Sequence, residues 1–256
     1  MTIAVEGRQD ALGTEIESLL ARQPQSCSLA QPFYGHPDIF RRDVDRLLGR
    51  HWLCAGHASQ AAQPGDYFLF ELANESVIVV RGEDRVLRGF ANVCRHRGSR
   101  ICSAQSGHAK FLVCPYHAWT YGLDGTLRAA RHMAADFDTA SYGLKPIHLR
   151  VIEGLVFVSL AAAPLALGHV EETLRDCFGP YGWADARVAH RARYQIAANW
   201  KLAVENYLEC YHCSPSHPEY SRLHALEQPA ARIAALNAGM AERSAALGIA
   251  IGEHDH

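Results

Sequence analysis

Cys94-Arg95-His96 and Cys114-Pro115-Tyr116-His117 decide how this chain of 256 residues reads. The two stretches are separated by 17 residues, Arg97 to Val113, and each closes a short apolar run, Val86 to Val93 and Phe111 to Val113, of the kind that forms β-strands. Two loops at strand ends, each offering one thiolate and one imidazole, can converge on one metal centre. A 2Fe-2S unit with two Cys on one iron and two His on the other needs that donor set, and its neutral imidazoles raise the reduction potential above that of an all-Cys cluster. Tetrahedral zinc is the competing use of two Cys and two His, but zinc knuckles pair Cys with Cys at C-x2-C spacing. The other thiols, Cys27, Cys54, Cys102 and Cys177, are isolated and read as small buried groups.

Working outward, Tyr67 to Leu72, Val77 to Val80, Trp119 to Tyr121 and Leu155 to Leu160 are further short β-branched and aromatic runs, and Asp124-Gly125 has the chemistry of a tight hairpin turn. They predict a small all-β domain. Before it, Leu12, Ile16, Leu19 and Leu20 follow helical spacing, and a second periodic run from Asp38 stops at Gly49. After it, the Ala/Pro/Gly-rich stretch Ala161 to Gly168 reads as a linker. Helices are expected over Glu171 to Cys177, Asn199 to Cys213 with an end near Pro215, and Ala231 to Leu247. The expected division is N-terminal helices over 1–47, the β domain over 48–160 and a second domain over 161–256, an α+β chain.

A second constellation lies in the helix expected from Asn199. Glu205, Glu209 and His212 stand at i, i+4 and i+7, one face of such a helix, and His217 follows five residues later, beyond Pro215. Two facing His begin a 2-His-1-carboxylate iron site, whose open positions admit dioxygen and substrate. A solvated acidic helix face, or a zinc site from Cys210, Cys213 and His217, are the other readings of the same residues.

Composition limits the alternatives. With 48% hydrophobic residues and 20% charged ones the chain can bury a core, and 25 Lys+Arg against 27 Asp+Glu leave a formal charge of −2, no field for nucleic acid or an anionic membrane. No stretch approaches the roughly 20 apolar residues of a membrane span, and Met1 to Asp10 lacks a secretory signal pattern, so a cytoplasmic protein is expected. Eight Cys and 15 His then point to metals rather than disulfides.

The pattern C-x-H, seventeen residues, C-x-x-H, with Trp119 following and arginines around His96, resembles the Rieske family in its oxygenase branch. Glu209, His212 and His217 look like the catalytic motif of the Rieske non-haem iron oxygenase alpha subunits, and a Glu rather than Asp at 209 resembles the branch acting on quaternary ammonium compounds. The resemblance implies a Rieske domain followed by part of a helix-grip, START-like catalytic domain. Cys94, His96, Cys114 and His117 would hold the 2Fe-2S cluster, His212 and His217 a mononuclear Fe(II), and Glu209 would bridge the centres of neighbouring subunits in a homotrimer. It further implies a flavin- or ferredoxin-type reductase that brings electrons from NADH, O2 as co-substrate, and hydroxylation or N-demethylation of a small aromatic or quaternary ammonium substrate.

The resemblance also marks a gap. The family's third iron ligand is a distant Asp, whereas 39 residues follow His217 here, with Glu219, Glu227, Glu242, Glu253 and Asp255 as their acidic members. A truncated product, a fragment and a split subunit all stay open, as does an electron-transfer module with an inactive catalytic half.

Overall fold

The computed structural model describes residues 3–25, 27–134, 136–209, 212–223 and 229–246. The chain divides into two units, one running from Val44 to Ala192 and one joining the residues up to Asp43 to those from Arg193 onward. Its fold is α+β, with every described strand in the first unit.

These strands are β1 (Leu53–His57), β2 (Asp66–Leu72), β3 (Glu75–Arg81), β4 (Leu87–Ala91), β5 (Ser106–His108), β6 (Leu112–Val113), β7 (Thr120–Tyr121), β8 (Leu127–Ala129), β9 (Pro146–Ile152) and β10 (Leu155–Ser159). Seven form an antiparallel sheet in the order β1-β10-β9-β4-β3-β2-β5, and β6-β7-β8 form a small second sheet.

Side chains alternate across a strand, so β2 and β3 feed two cores. Phe68, Val77 and Val79 join Ala61, Val156 and Val158 on one face, while Tyr67, Leu69, Ile78 and Val80 meet Phe90, Cys94, Cys114, Trp119 and Tyr121 on the other. Burial on both faces is why Val77 to Val80 is an unbroken apolar run, each side chain contributing roughly 1.5–3 kcal/mol. The second core is also what carries the ligand loops.

Two turns repeat one seven-residue pattern, Gly-x-Asp-x-x-Leu-Arg, at Gly82–Arg88 and Gly122–Arg128. In each the Asp carboxylate accepts the N–H two residues on (Val86 and Thr126, both 3.1 Å) and pairs with the Arg four residues on, at 2.6 and 2.8 Å. Gly125, at φ +84°, is the left-handed residue that the Asp-Gly dipeptide announced, and a Cβ there would lie 2.4 Å from the Phe90 ring.

The helices are α1 (Ile3–Ala21), α2 (Pro32–Gly35), α3 (Pro37–Asp43), α4 (His169–Phe178), α5 (Trp200–Tyr207), α6 (Cys213–Ser216), α7 (Pro218–Leu223) and α8 (Ala230–Ala246). The run expected from Asp38 to Gly49 is α3 followed by one π-helical turn, Val44–Leu48. α4 belongs to the sheet-containing unit. In the other unit α2 and α3 grip α5: the Lys201 ammonium, 12% exposed, pairs with Asp43, Trp200 Nε1 donates to Asp43 at 3.3 Å, and the Tyr34 hydroxyl donates to Glu205 at 2.8 Å. Among the described residues no helix is long and apolar enough to cross a membrane.

Candidate metal centres

The first ligand loop follows β4 and the second follows β6, and the two have the same backbone design. Cys94 N–H donates to the Ser99 carbonyl (2.8 Å) and accepts at its own carbonyl from Gly98 N–H (3.0 Å). Cys114 does the same with Trp119 (2.9 Å) and Ala118 (3.0 Å). The residue four after each Cys is left-handed, Gly98 at φ +72° and Ala118 at φ +56°. Alanine in that conformation costs about 1–2 kcal/mol, so the loop, not the residue, imposes it.

This geometry turns the thiols inward and the imidazoles outward. Cys94 and Cys114 are each 2% exposed, and the two thiols lie close enough to shift one another's pKa. His96 is half-buried, His117 is exposed, and their rings lie 4.7 Å apart, with His96 stacked on Trp119 at 4.8 Å. His96 Nδ1 is buried with no hydrogen-bond partner. An orphaned ring nitrogen in such a place is what a metal ion would satisfy.

Electrostatics agree with that use. Desolvation, with the His117 and Arg97 charges, lowers the His96 pKa and favours the neutral, ligating imidazole. Burial raises the Cys94 thiol; at Cys114 burial is outweighed by hydrogen bonds from Tyr116 N–H, the Cys94 thiol, His117 N–H and Ser99, and its pKa falls. The donor set divides into a sulfur pair and an imidazole pair, which fits a two-iron unit.

Sequence reasoning missed Tyr121, hidden in an apolar run two residues past Trp119. Its hydroxyl lies 3.3 Å from Cys94 Sγ and accepts Arg95 N–H at 3.0 Å. Burial, then the hydrogen bond with Cys94, push its pKa up, which favours the phenol form that can donate to a metal-bound Cys94 sulfur. A hydrogen bond to a ligand sulfur stabilises the more negative, reduced cluster. Tyr121→Phe should therefore lower the cluster's reduction potential by about 60 mV, the equivalent of about 1.4 kcal/mol for a one-electron couple. A redox titration followed by electron paramagnetic resonance reads this directly, and an unchanged potential removes Tyr121 from the tuning of the site.

The second constellation departs from the sequence expectation. The helix from Asn199 does not run to Cys213: α5 ends at Tyr207, so Glu205, Glu209 and His212 do not share a helix face. Asn199 caps its start, accepting Lys201 N–H at 3.1 Å. Beyond Leu208 the Glu209 carboxylate accepts His212 N–H at 3.2 Å, competing with helical hydrogen bonding, and Pro215 is accommodated only because a new first turn, α6, begins at Cys213.

Glu205 turns away to Tyr34. Glu209 meets His212 instead, Oε1 to Nδ1 at 2.5 Å, and the His212 and His217 rings stand 5.5 Å apart at 79°. A carboxylate at Nδ1 favours the tautomer protonated there, in which Nε2 carries the lone pair that can bind a metal. Cys213 Sγ lies 3.9 Å from that Nε2, and Cys210 of the alternative zinc set is outside the described residues. Glu227, Glu253 and Asp255 are also outside them; Glu219 opens α7 and Glu242 lies in α8. The described residues thus offer an imidazole pair with its orienting carboxylate, and no third metal donor joins it.

Comparison with known proteins agrees with this layout. The family model described as the Rieske [2Fe-2S] domain matches residues 51–148, and that described as the ring hydroxylating alpha subunit (catalytic domain) matches residues 183–247. A glycine betaine monooxygenase oxygenase subunit from Pseudomonas aeruginosa is 43% identical over 202 residues, 78% of this chain and 47% of its own length. A carnitine monooxygenase oxygenase subunit from Escherichia coli K12 is 35% identical over 80% of this chain and 56% of its own. The crystal structure of the quaternary ammonium Rieske monooxygenase CntA with L-carnitine superposes with a TM-score of 0.67 at 36% identity, covering 75% of this chain and 55% of that one. The chain thus spans about half the length of the curated relatives it matches. Two matched domains in this order, with paired thiols and imidazoles on twin loops in the first, give the chain a Rieske [2Fe-2S] domain followed by part of a ring hydroxylating alpha subunit catalytic domain.

Proposed function

We propose that this chain is the Rieske and early catalytic part of a terminal oxygenase acting on a small quaternary ammonium compound, with electrons supplied by a separate reductase at the expense of NADH. The observation that carries the reading is the sulfur pair and imidazole pair on twin loops, followed in sequence by the Glu209–His212–His217 set. Glycine betaine and carnitine, named in the relatives' descriptions, define the substrate class we assign, a fixed trimethylammonium cation on a short carboxylate-bearing chain.

In this reading Cys94 and Cys114 would hold one iron of the cluster and His96 and His117 the other, and the bound cluster would supply one-electron transfer. The protein's own contribution is positional. Buried thiols keep one side of the site dry, Trp119 fixes the plane of the His96 ring, and the Tyr121 hydroxyl would donate to the metal-bound Cys94 sulfur. His212 and His217 would hold a mononuclear Fe(II), with Glu209 keeping the Nδ1 proton on His212 so that Nε2 faces the metal. The functional division follows: helices over 1–47, the cluster domain over 48–160 and the catalytic part over 161–256. A cytoplasmic homotrimer, with Glu209 bridging to a neighbour's imidazole, completes the proposal.

The test is oxygen uptake. With reductase and NADH present, glycine betaine or carnitine should raise oxygen consumption in proportion to substrate, and the net change is substrate, O2, NADH and H+ giving hydroxylated product, water and NAD+. A cluster that is reduced normally while uptake stays independent of substrate would select the other reading, an electron-transfer module whose catalytic half is inactive.

A further inference from the structure

We propose that Asn92 is the positioning residue of the first ligand loop, its side-chain amide standing where the second loop has a strand pair. The two loops match in backbone but not in how their ends are closed. The second is closed by the β6–β7 ladder, with Val113 opposite Thr120 and Leu112 opposite Tyr121. The first leaves β4 at Ala91, and the chain returns through Arg100 to Cys102, where no strand forms.

Asn92 bridges that gap. It is 1% exposed, and its amide makes four hydrogen bonds: Oδ1 accepts Ile101 N–H (3.1 Å) and Cys102 N–H (2.8 Å), while Nδ2 donates to the Cys102 carbonyl (2.7 Å) and to Ser76 Oγ (3.1 Å). A primary amide has one carbonyl and one NH2, the same groups as a peptide unit. By binding both the N–H and the C=O of Cys102, Asn92 does what an opposing residue does in a hydrogen-bonded antiparallel pair. Its own N–H donates to Ser76 O at 2.8 Å, which ties this surrogate rung to β3.

The clasp extends one residue further. Ser76 Oγ donates to Glu71 Oε1 (3.0 Å), and Glu71 Oε2 accepts from Arg100 at 2.9 Å. Side chains from β2, β3 and the end of β4 therefore hold Arg100, Ile101 and Cys102, the exit of the loop that carries Cys94 and His96. Asn92 touches neither ligand. It acts through the loop, holding Cys94 sulfur against the Tyr121 hydroxyl.

This inference rests on the cluster reading above, and its test separates the two. Hydrogen exchange and redox titration would be run on the whole iron-loaded protein. Asn92→Ala should speed exchange of the Ile101, Cys102 and Cys94 amides at least about tenfold, with the Cys114 and Ala118 amides unchanged. It should also lower the cluster potential, and that shift should shrink in a Tyr121→Phe background, because the hydrogen bond it loosens is already gone. Ser76→Ala, which removes the two bonds of the Ser76 hydroxyl but leaves the three from Asn92 to Ile101 and Cys102, should give the same pattern at smaller size and serves if Asn92→Ala does not fold. Any result in which the first loop responds no more than the second, or in which the two potential shifts simply add, overturns the proposal. A parent protein that holds no cluster would instead refute the ligand assignment, while the exchange comparison would still judge the clasp.

Discussion

His117→Ala yields a colourless protein that is still folded. The imidazole is one of two that would face the second iron, and at an exposed position its removal leaves no cavity in either core. The second loop keeps its shape, since the bonds from Cys114 N–H to Trp119 and from Ala118 N–H to Cys114 are made by backbone. The ring contacts of His117 among the described residues are Tyr116, tilted against it at 3.8 Å, and His96, which would already be engaged as the other imidazole ligand. Visible absorbance, iron and acid-labile sulfide should all fall to background while circular dichroism is unchanged. Full colour in this variant would remove His117 from the ligand set.

His212→Ala should do the reverse. It lies in the unit formed by the two chain ends, whereas all four cluster candidates lie in Val44–Ala192. Cluster absorbance and potential should therefore match the parent. Mononuclear iron should be lost, and substrate-dependent oxygen uptake should fall by at least about a hundredfold, since changing even a residue that orients a ligand costs 10–100-fold. Glu209→Gln, which keeps the shape but makes a weaker acceptor at His212 Nδ1, should fall between the two. A bleached His212→Ala protein would contradict the division into two separate centres.

The parts of this architecture legible in the sequence were those set by short-range chemistry. Cys and His at fixed spacing announced the loops, β-branched runs announced β2, β3 and β10, and Asp124-Gly125 announced its turn. β5, Ser106–His108, carries no strand signal, because its pairing with β2 at the sheet edge comes from tertiary context alone. β1 was obscured by the irregular register between Cys54 and Gly56, and β9 by its opening proline. The overextended helix at Asn199 has a specific cause: the absence of Gly and Pro says nothing about a Glu209 side chain that takes a backbone N–H for itself. Tyr121 and Asn92 were invisible for a related reason. Their roles depend on which carbonyl, amide or sulfur lies opposite them, which a linear pattern does not carry.

The grip of Tyr34 on Glu205 and of Asp43 on Lys201 joins positions 171 and 158 residues apart. During synthesis the first partner of each pair leaves the ribosome long before the second exists, so this helix-bearing half is assembled last, after an entire sheet has been made in between. Loop-closure entropy grows only with the logarithm of length, so the penalty lies less in equilibrium stability than in folding speed. A gene trimmed at its front to spare a few dozen codons would leave the sheet its full sequence and strip the segment before His212 of its footing.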